Sequence, residues 1–318
     1  METIEKYTER IREFINESKK QYILLKNKDL WSQLCSCLDV IEDSQFAIEA
    51  YPTIQFGTNE GVNYLSLYGL LQALFLQQDA IDNLCESLKI PDTIYNYPRL
   101  IEIREIRHDS IGHPTKINRG KEKDKLPSYH FISRPSLCSN SFTLLSCYSD
   151  GENKFRDITI TDLITDQKEH ISRILEQIIT KLENEEKAHK EKFRMEKLVS
   201  VFPSHLHYDL SKLREGTRKN ERVAQGDIAV LSIRRTLHTF KQALAKRGIE
   251  LDTYDSIKYL YNELEYPLCE LEKYFQCLIH EKEPEINEKT AHIFADFVTK
   301  KVEELEQIAK EIDNDYSI

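Results

Sequence analysis

REIRHDSIGHP, residues 104–114, decides how the first half of this chain is read. It continues an apolar stripe, Leu100, Ile103, Ile106 and Ile111, at the three-to-four-residue spacing of a buried helix face. It also ends that helix. Gly112 tolerates the left-handed backbone a helix terminus often needs, and Pro114 cannot resume the helix. With Pro98 near the start, the pattern predicts a helix over 98–112, with His113 just past its end. The same stretch concentrates chemistry, because Arg104, Arg107, His108 and His113 fall on its last turns or immediately beyond. A guanidinium holds anions and an imidazole exchanges protons at neutral pH.

Working upstream, residues 3–26 carry Ile4, Tyr7, Ile11, Phe14, Ile15 and Tyr22 with charges between them, an amphipathic helix. Residues 28–49 repeat the pattern with Leu30, Leu34, Leu38, Ile41, Phe46 and Ile48, until Tyr51-Pro52 stops it. In residues 60–89, Leu65, Leu67, Leu70, Leu71, Leu74, Phe75 and Leu76 wrap most of the circumference, the signature of a central helix packed by neighbours. Gln72, Gln77, Gln78 and Asp79 interrupt it. A buried Asp79 needs a partner; it reads either as a polar group fixing helix register or as a residue supporting the 104–114 stretch.

Downstream, residues 115–127 form a basic loop with Lys116, Arg119, Lys121, Lys123 and Lys125 against Glu122 and Asp124. The period then changes. Segments beginning at Tyr129, Ser141 and Phe155 are short and rich in aromatic and β-branched residues, so a small antiparallel β-meander is expected at about 128–160. A long helix is expected over 161–199, its second half highly charged. Pro203, Gly216 and Gly226 mark a domain boundary within 200–227, and three helices are expected at 228–247, 254–281 and 285–313. The first of these carries Arg234, Arg235, Lys241, Lys246 and Arg247 without an acid, a face suited either to RNA or to the acidic part of another subunit.

Composition agrees with a mainly α protein. The 318 residues contain only nine glycines and nine prolines, about half the usual combined share of roughly 12%. A net charge of -10 does not suit a protein that coats nucleic acid through a basic surface, so any RNA contact must use local patches. Of the seven cysteines only Cys35 and Cys37 are close, at C-x-C spacing, which reads as free thiols rather than a zinc site or a disulfide framework. The start METIEKYTERIREF is too charged for a signal peptide, and Val62–Leu76 is too short and polar for a membrane span, so a cytoplasmic protein is expected. His205 and His207, two apart, diverge on a helix and make no metal site. His130, His170, His189, His238, His280 and His292 are isolated and read as surface or structural. Phosphate-loop, dinucleotide, serine-hydrolase and zinc-protease motifs are absent, and no metal or cofactor is expected.

Four N-terminal helices ending in Arg107-His108-x(4)-His113 resemble the HEPN superfamily, helical bundles many of which are metal-independent ribonucleases with an R-x(4–6)-H signature. The resemblance covers residues 1–200 at most. It implies a HEPN-like bundle, in which the expected β-meander would be an insertion; residues 201–318 resemble no family and read as a C-terminal helical domain of unassigned role. It implies Arg107 and His113 as catalytic residues, RNA as substrate, a homodimer that brings two Arg/His pairs to one cleft, and a toxin or antiphage role with a regulatory partner or antitoxin. The residue chemistry is compatible: a histidine exchanges protons with the attacking 2′-oxygen or the departing 5′-oxygen, and an arginine stabilises the charge on the phosphoryl oxygens.

The neighbouring groups keep two readings each. Arg104 binds a second phosphate or forms a surface ion pair. Asp109 orients a histidine, or caps the helix or pairs with Arg104; His108 is adjacent to the site in sequence. Lys116, Arg119 and Lys121 contact phosphates or belong to a solvated loop. The alternative to a nuclease is a non-catalytic helical module that binds protein or RNA.

Overall fold

The computed structural model describes residues 2–16, 24, 27–112, 115, 128–148, 151, 153–218 and 222–317. The fold is mainly α with one small antiparallel sheet, and the chain divides into two compact units, residues 1–183 and 184–318.

The first unit begins with α1 (Ile4–Asn16), α2 (Lys28–Ala50), α3 (Glu60–Ser87) and α4 (Pro98–Arg107). Residues 17–23 and 25–26, the rest of the expected first helix, lie outside the described residues. Helices α2 and α3 start where side chains satisfy orphan N–H groups: Asn27 accepts from the Leu30 amide (3.2 Å) and Asn59 from that of Val62 (3.3 Å). Three strands come next, β1 (Ser128–Ile132), β2 (Ser141–Tyr148) and β3 (Asn153–Thr159), paired antiparallel in the order β1-β2-β3. Their inward phase, with Ile132, Phe142, Leu144 and Ile158, joins the helical core. Helix α5 (Ile160–Phe193) leaves β3 directly and buries Ile171, Ile174, Leu175, Ile178 and Leu182. It ends six residues before the expected 199, and a 3-10 turn covers Leu198–Val201.

Helix α3 is central, as its Leu67, Leu70, Leu71, Leu74, Ile81 and Leu84 are buried. Each fully buried leucine contributes about 1.5–3 kcal/mol. The expectation that neighbours cover it all round is corrected on one edge: Leu65 is 72% and Leu76 42% exposed. The glutamines crossing the interior form a chain. Gln77 donates to Gln45 (2.9 Å), Gln78 to Gln167 (2.7 Å), and Gln167 to both Gln77 (3.0 Å) and the Leu74 carbonyl (3.0 Å). Neutral amides bonded to one another are buried at lower cost than charges and fix the register of α2, α3 and α5, although Gln78 Oε1 has no hydrogen-bond partner among the described residues.

The second unit contains α6 (Leu206–Arg218), α7 (Val223–Lys246), α8 (Asp255–Ile279) and α9 (Glu288–Asp315). The stretch 200–227, expected to be a boundary, lies inside this unit and carries α6; the division between the units falls at Glu183/Asn184, within α5. Gly226 reflects close packing rather than a break, since a Cβ there would lie 2.6 Å from the Phe275 ring. The interior also holds a charge pair. Arg247 is 2% exposed and lies 3.1 Å from Asp313, with Tyr316 4.8 Å beneath its guanidinium. Asp313 additionally accepts from the Leu198 (2.8 Å) and Val199 (2.9 Å) amides, and Arg247 donates to the Glu196 carbonyl. The expected basic face of α7 is therefore largely committed inside this unit: Arg234 pairs with Glu272 (3.1 Å), Lys246 with Glu196 (2.6 Å), and Arg247 is core. Among the described residues, no helix is long and apolar enough to cross a membrane.

Candidate functional site

Helix α4 presents Arg104 and Arg107, one turn apart, to one face of α3, where Gln72, Phe75 and Asp79 recur at helical spacing. The two arginines share the Phe75 ring, their guanidinium carbons 4.2 and 4.3 Å from its centroid. Such cation–π contacts are worth about 0.5–2 kcal/mol each and hold the side chains in place without hiding their edges.

Their acceptors differ. Arg104 donates to the Asp79 carboxylate at 2.7 Å, so its charge is compensated. Asp79 is not buried, its side chain being 40% exposed, so the contact is a partly exposed ion pair. Arg107 donates from Nε (3.2 Å) and Nη2 (2.8 Å) to Gln72 Oε1, a neutral amide. No carboxylate pairs with Arg107 among the described residues. A neutral acceptor fixes the orientation of a guanidinium and leaves its positive charge undiminished, which suits an incoming anion.

Beyond Arg107 the helix widens. His108–Gly112 forms a π turn, a rare form of helix that recurs at functional sites. The turn folds Gly112 against the residues that precede it: a Cβ on Gly112 would lie 3.1 Å from Arg107 Nη1 and 3.2 Å from His108 Nδ1. Glycine is needed here for a close approach and not for the left-handed backbone expected of a helix end, since Gly112 has no positive φ. Ser110 is buried, and its hydroxyl has no hydrogen-bond partner among the described residues. Asp109 faces the sheet, its Oδ2 3.9 Å from His130 Nδ1. His130 is itself buried, with Ser146 Oγ 2.8 Å from Nδ1 and Ser128 Oγ 3.0 Å from Nε2. Glu102 of α4 pairs with Arg156 of β3, a second tie between α4 and the sheet.

The structure thus brings Arg104, Arg107, His108 and Asp109 to one end of α4 and the turn beyond it. His113, Lys116, Arg119 and Lys121 lie outside the described residues. Sequence alone does not connect three contributors. Gln72 and Phe75 show their role only through contact with α4, although their three-residue spacing puts them on one face. His130, isolated in sequence, shares the inward phase of β1 with Ser128 and Ile132, and that alternation is the one signal of its place. Among the described residues no cluster of His, Cys, Asp or Glu is arranged to hold a metal ion. Compared with protein-family models, curated proteins and solved structures, the chain matches none.

Proposed function

We propose that this protein is a metal-independent endoribonuclease of HEPN type, with Arg107 and His113 as its catalytic residues. The observation that carries the proposal is the state of Arg107. It is oriented by a ring and an amide, uncompensated by any described carboxylate, and joined by a five-residue π turn to the residue preceding His113. In the reaction the ribose 2′-oxygen loses its proton to a neutral histidine and attacks phosphorus. The bond from phosphorus to the 5′-oxygen breaks, a histidinium protonates that oxygen, and a 2′,3′-cyclic phosphate remains. Arg107 stabilises the charge gathering on the phosphoryl oxygens. Lys116, Arg119 and Lys121 lie close by in sequence and are assigned to neighbouring phosphates.

One histidine per chain is short of two proton transfers, so the reading includes a homodimer. The open apolar edge of α3 supports it. Val62, Leu65 and Leu76 are exposed there, on the helix whose Gln72 holds Arg107. Gly69 on the same helix is exposed and has nothing within 4 Å of a built Cβ, room for another helix to approach. A cytoplasmic toxin or antiphage effector held in check by a partner rests on the family resemblance alone. The same apolar edge would serve the alternative, a non-catalytic interaction module.

The deciding experiment incubates total RNA with purified protein in chelating buffer, beside Arg107→Ala and His113→Ala. The expected result is cleavage by the wild type to 2′,3′-cyclic phosphate ends, and none by either variant at unchanged helicity. Wild-type protein that cuts no RNA, or variants that cut equally well, would overturn the proposal and leave the interaction module.

A further inference from the structure

The outer face of the β-meander is unusual for a sheet packed on helices. Strand β1 alternates strictly, with Ser128, His130 and Ile132 inward and Tyr129 and Phe131 outward. The register aligns Phe131 with Leu145 and Leu145 with Phe155, one row across all three strands. The rings at the ends of that row are far from covered: Phe131 is 50% and Phe155 71% exposed, with Tyr129 at 41% beside them. On the same face Asp157 accepts the Thr143 hydroxyl at 2.6 Å, which sets the polar limit of the patch.

We propose that this face is a stacking platform for unpaired RNA bases. The inference rests on the ribonuclease reading and deepens it by assigning a single-stranded substrate. The patch is too small for a protein partner. Three strands about 4.8 Å apart and five to eight residues long cover roughly 320 Å², against about 800 Å² per side in a stable protein interface. Bases need less area, because each aromatic ring accepts one π face. Tyr129 and Phe131 are two residues apart, about 6.6 Å along the strand, and Phe131 and Phe155 are about 10 Å apart across it, so each ring can take its own base. The platform shares strand β1 with the candidate site but lies on the opposite face of the sheet. His130, between the two outward rings of β1, points the other way, to within 3.9 Å of Asp109 in the π turn. Charge agrees as well: the sequence leading into β1, residues 116–125, carries five cations against two acids.

The test measures anisotropy of a fluorescein-labelled twelve-nucleotide oligouridine, single-stranded and as a duplex with oligoadenosine, on the full chain carrying His113→Ala to prevent cutting. Phe131→Ala and Phe155→Ala are expected to weaken single-strand binding by roughly five- to a hundredfold each, with little effect on duplex binding. Phe131→Tyr keeps a π face and should bind like the parent, whereas Phe131→Leu keeps only apolarity and should resemble Phe131→Ala. Equal binding by the Ala variants, full binding by the Leu variant, or equal affinity for duplex and single strand overturns the platform. So does loss of a dimer on sedimentation of the Ala variants, which would make the face a protein interface. Protein that still cuts RNA with unchanged KM in the Phe131 and Phe155 variants sinks the platform and spares the nuclease; protein that neither binds nor cuts sinks both.

Discussion

Arg107 in the first unit and Arg247 in the second both lie over aromatic rings, yet their surroundings are opposite. Arg247 is sealed from solvent, paired with Asp313 and donating to a backbone carbonyl. Arg107 is half-buried and held by an uncharged amide. Burying a guanidinium is tolerable only when a carboxylate and further hydrogen bonds repay the lost hydration, and such a pair has no charge left for a ligand. An arginine kept for binding needs the reverse, a rigid seat and no counter-charge. The ring serves both, and the acceptor separates them.

The comparison can be broken most easily in the second unit. Asp313→Ala strands a buried cation and two backbone N–H groups, and should cost about 3–5 kcal/mol in urea unfolding. Arg247→Met should cost less, because Asp313 keeps the Leu198 and Val199 amides. Equal losses would mean the pair is not the organising contact. In the first unit, if the proposed ribonuclease reading holds, Arg107→Ala should lower RNA cleavage by about 10²–10³-fold or more, below detection on a gel, at unchanged stability. Gln72→Glu would convert the first arrangement into the second by giving Arg107 a carboxylate, and should lower cleavage about tenfold without unfolding the protein. Unchanged cleavage in that variant would remove the significance given to the neutral acceptor.

The smallest effect concerns protons in the first unit. Burial, and next the Asp92 carboxylate that accepts from it, push the Tyr97 phenol up to about 12; burial carries Tyr51 to about 12 as well. A raised native pKa means the folded state holds the proton more tightly. Stability from these groups is therefore complete below about pH 10 and is lost as pH rises from there towards 12. Tyr97→Phe should flatten that alkaline decline in a series of urea melts between pH 9 and 12, and an unchanged slope would assign the decline to other groups.

Much of the fold is legible in the sequence because apolar periodicity reports a buried face. Ile171, Ile174, Leu175 and Ile178 mark α5 whatever they pack against, and the aromatic segments at 129, 141 and 155 mark strands. Periodicity does not report whether a neighbour exists. Leu65 and Leu76 fit the pattern of α3 as well as Leu67 does, yet they face solvent. The stretch carrying α6 and the start of α7 reads as a boundary in the sequence because glycine has two meanings, a break in the chain or a close approach, and only the Phe275 ring beside Gly216 and Gly226 selects the second. At the candidate site, Arg104 and Arg107 look alike in sequence. Asp79 and Gln72, more than twenty residues away, distinguish them, so the distinction is purely tertiary.

The π turn gives the site a dependence on chain length. A turn of this kind accommodates one residue more than an α-helical turn would, and each residue of an α-helix advances the backbone by about 100°. Deleting any single position from 108–112 would let the backbone settle into ordinary helix and change the phase of the remaining positions of the turn by about 100°. Within 108–112 the number of residues is thus a constraint in its own right, beside the close approach that asks for glycine at 112.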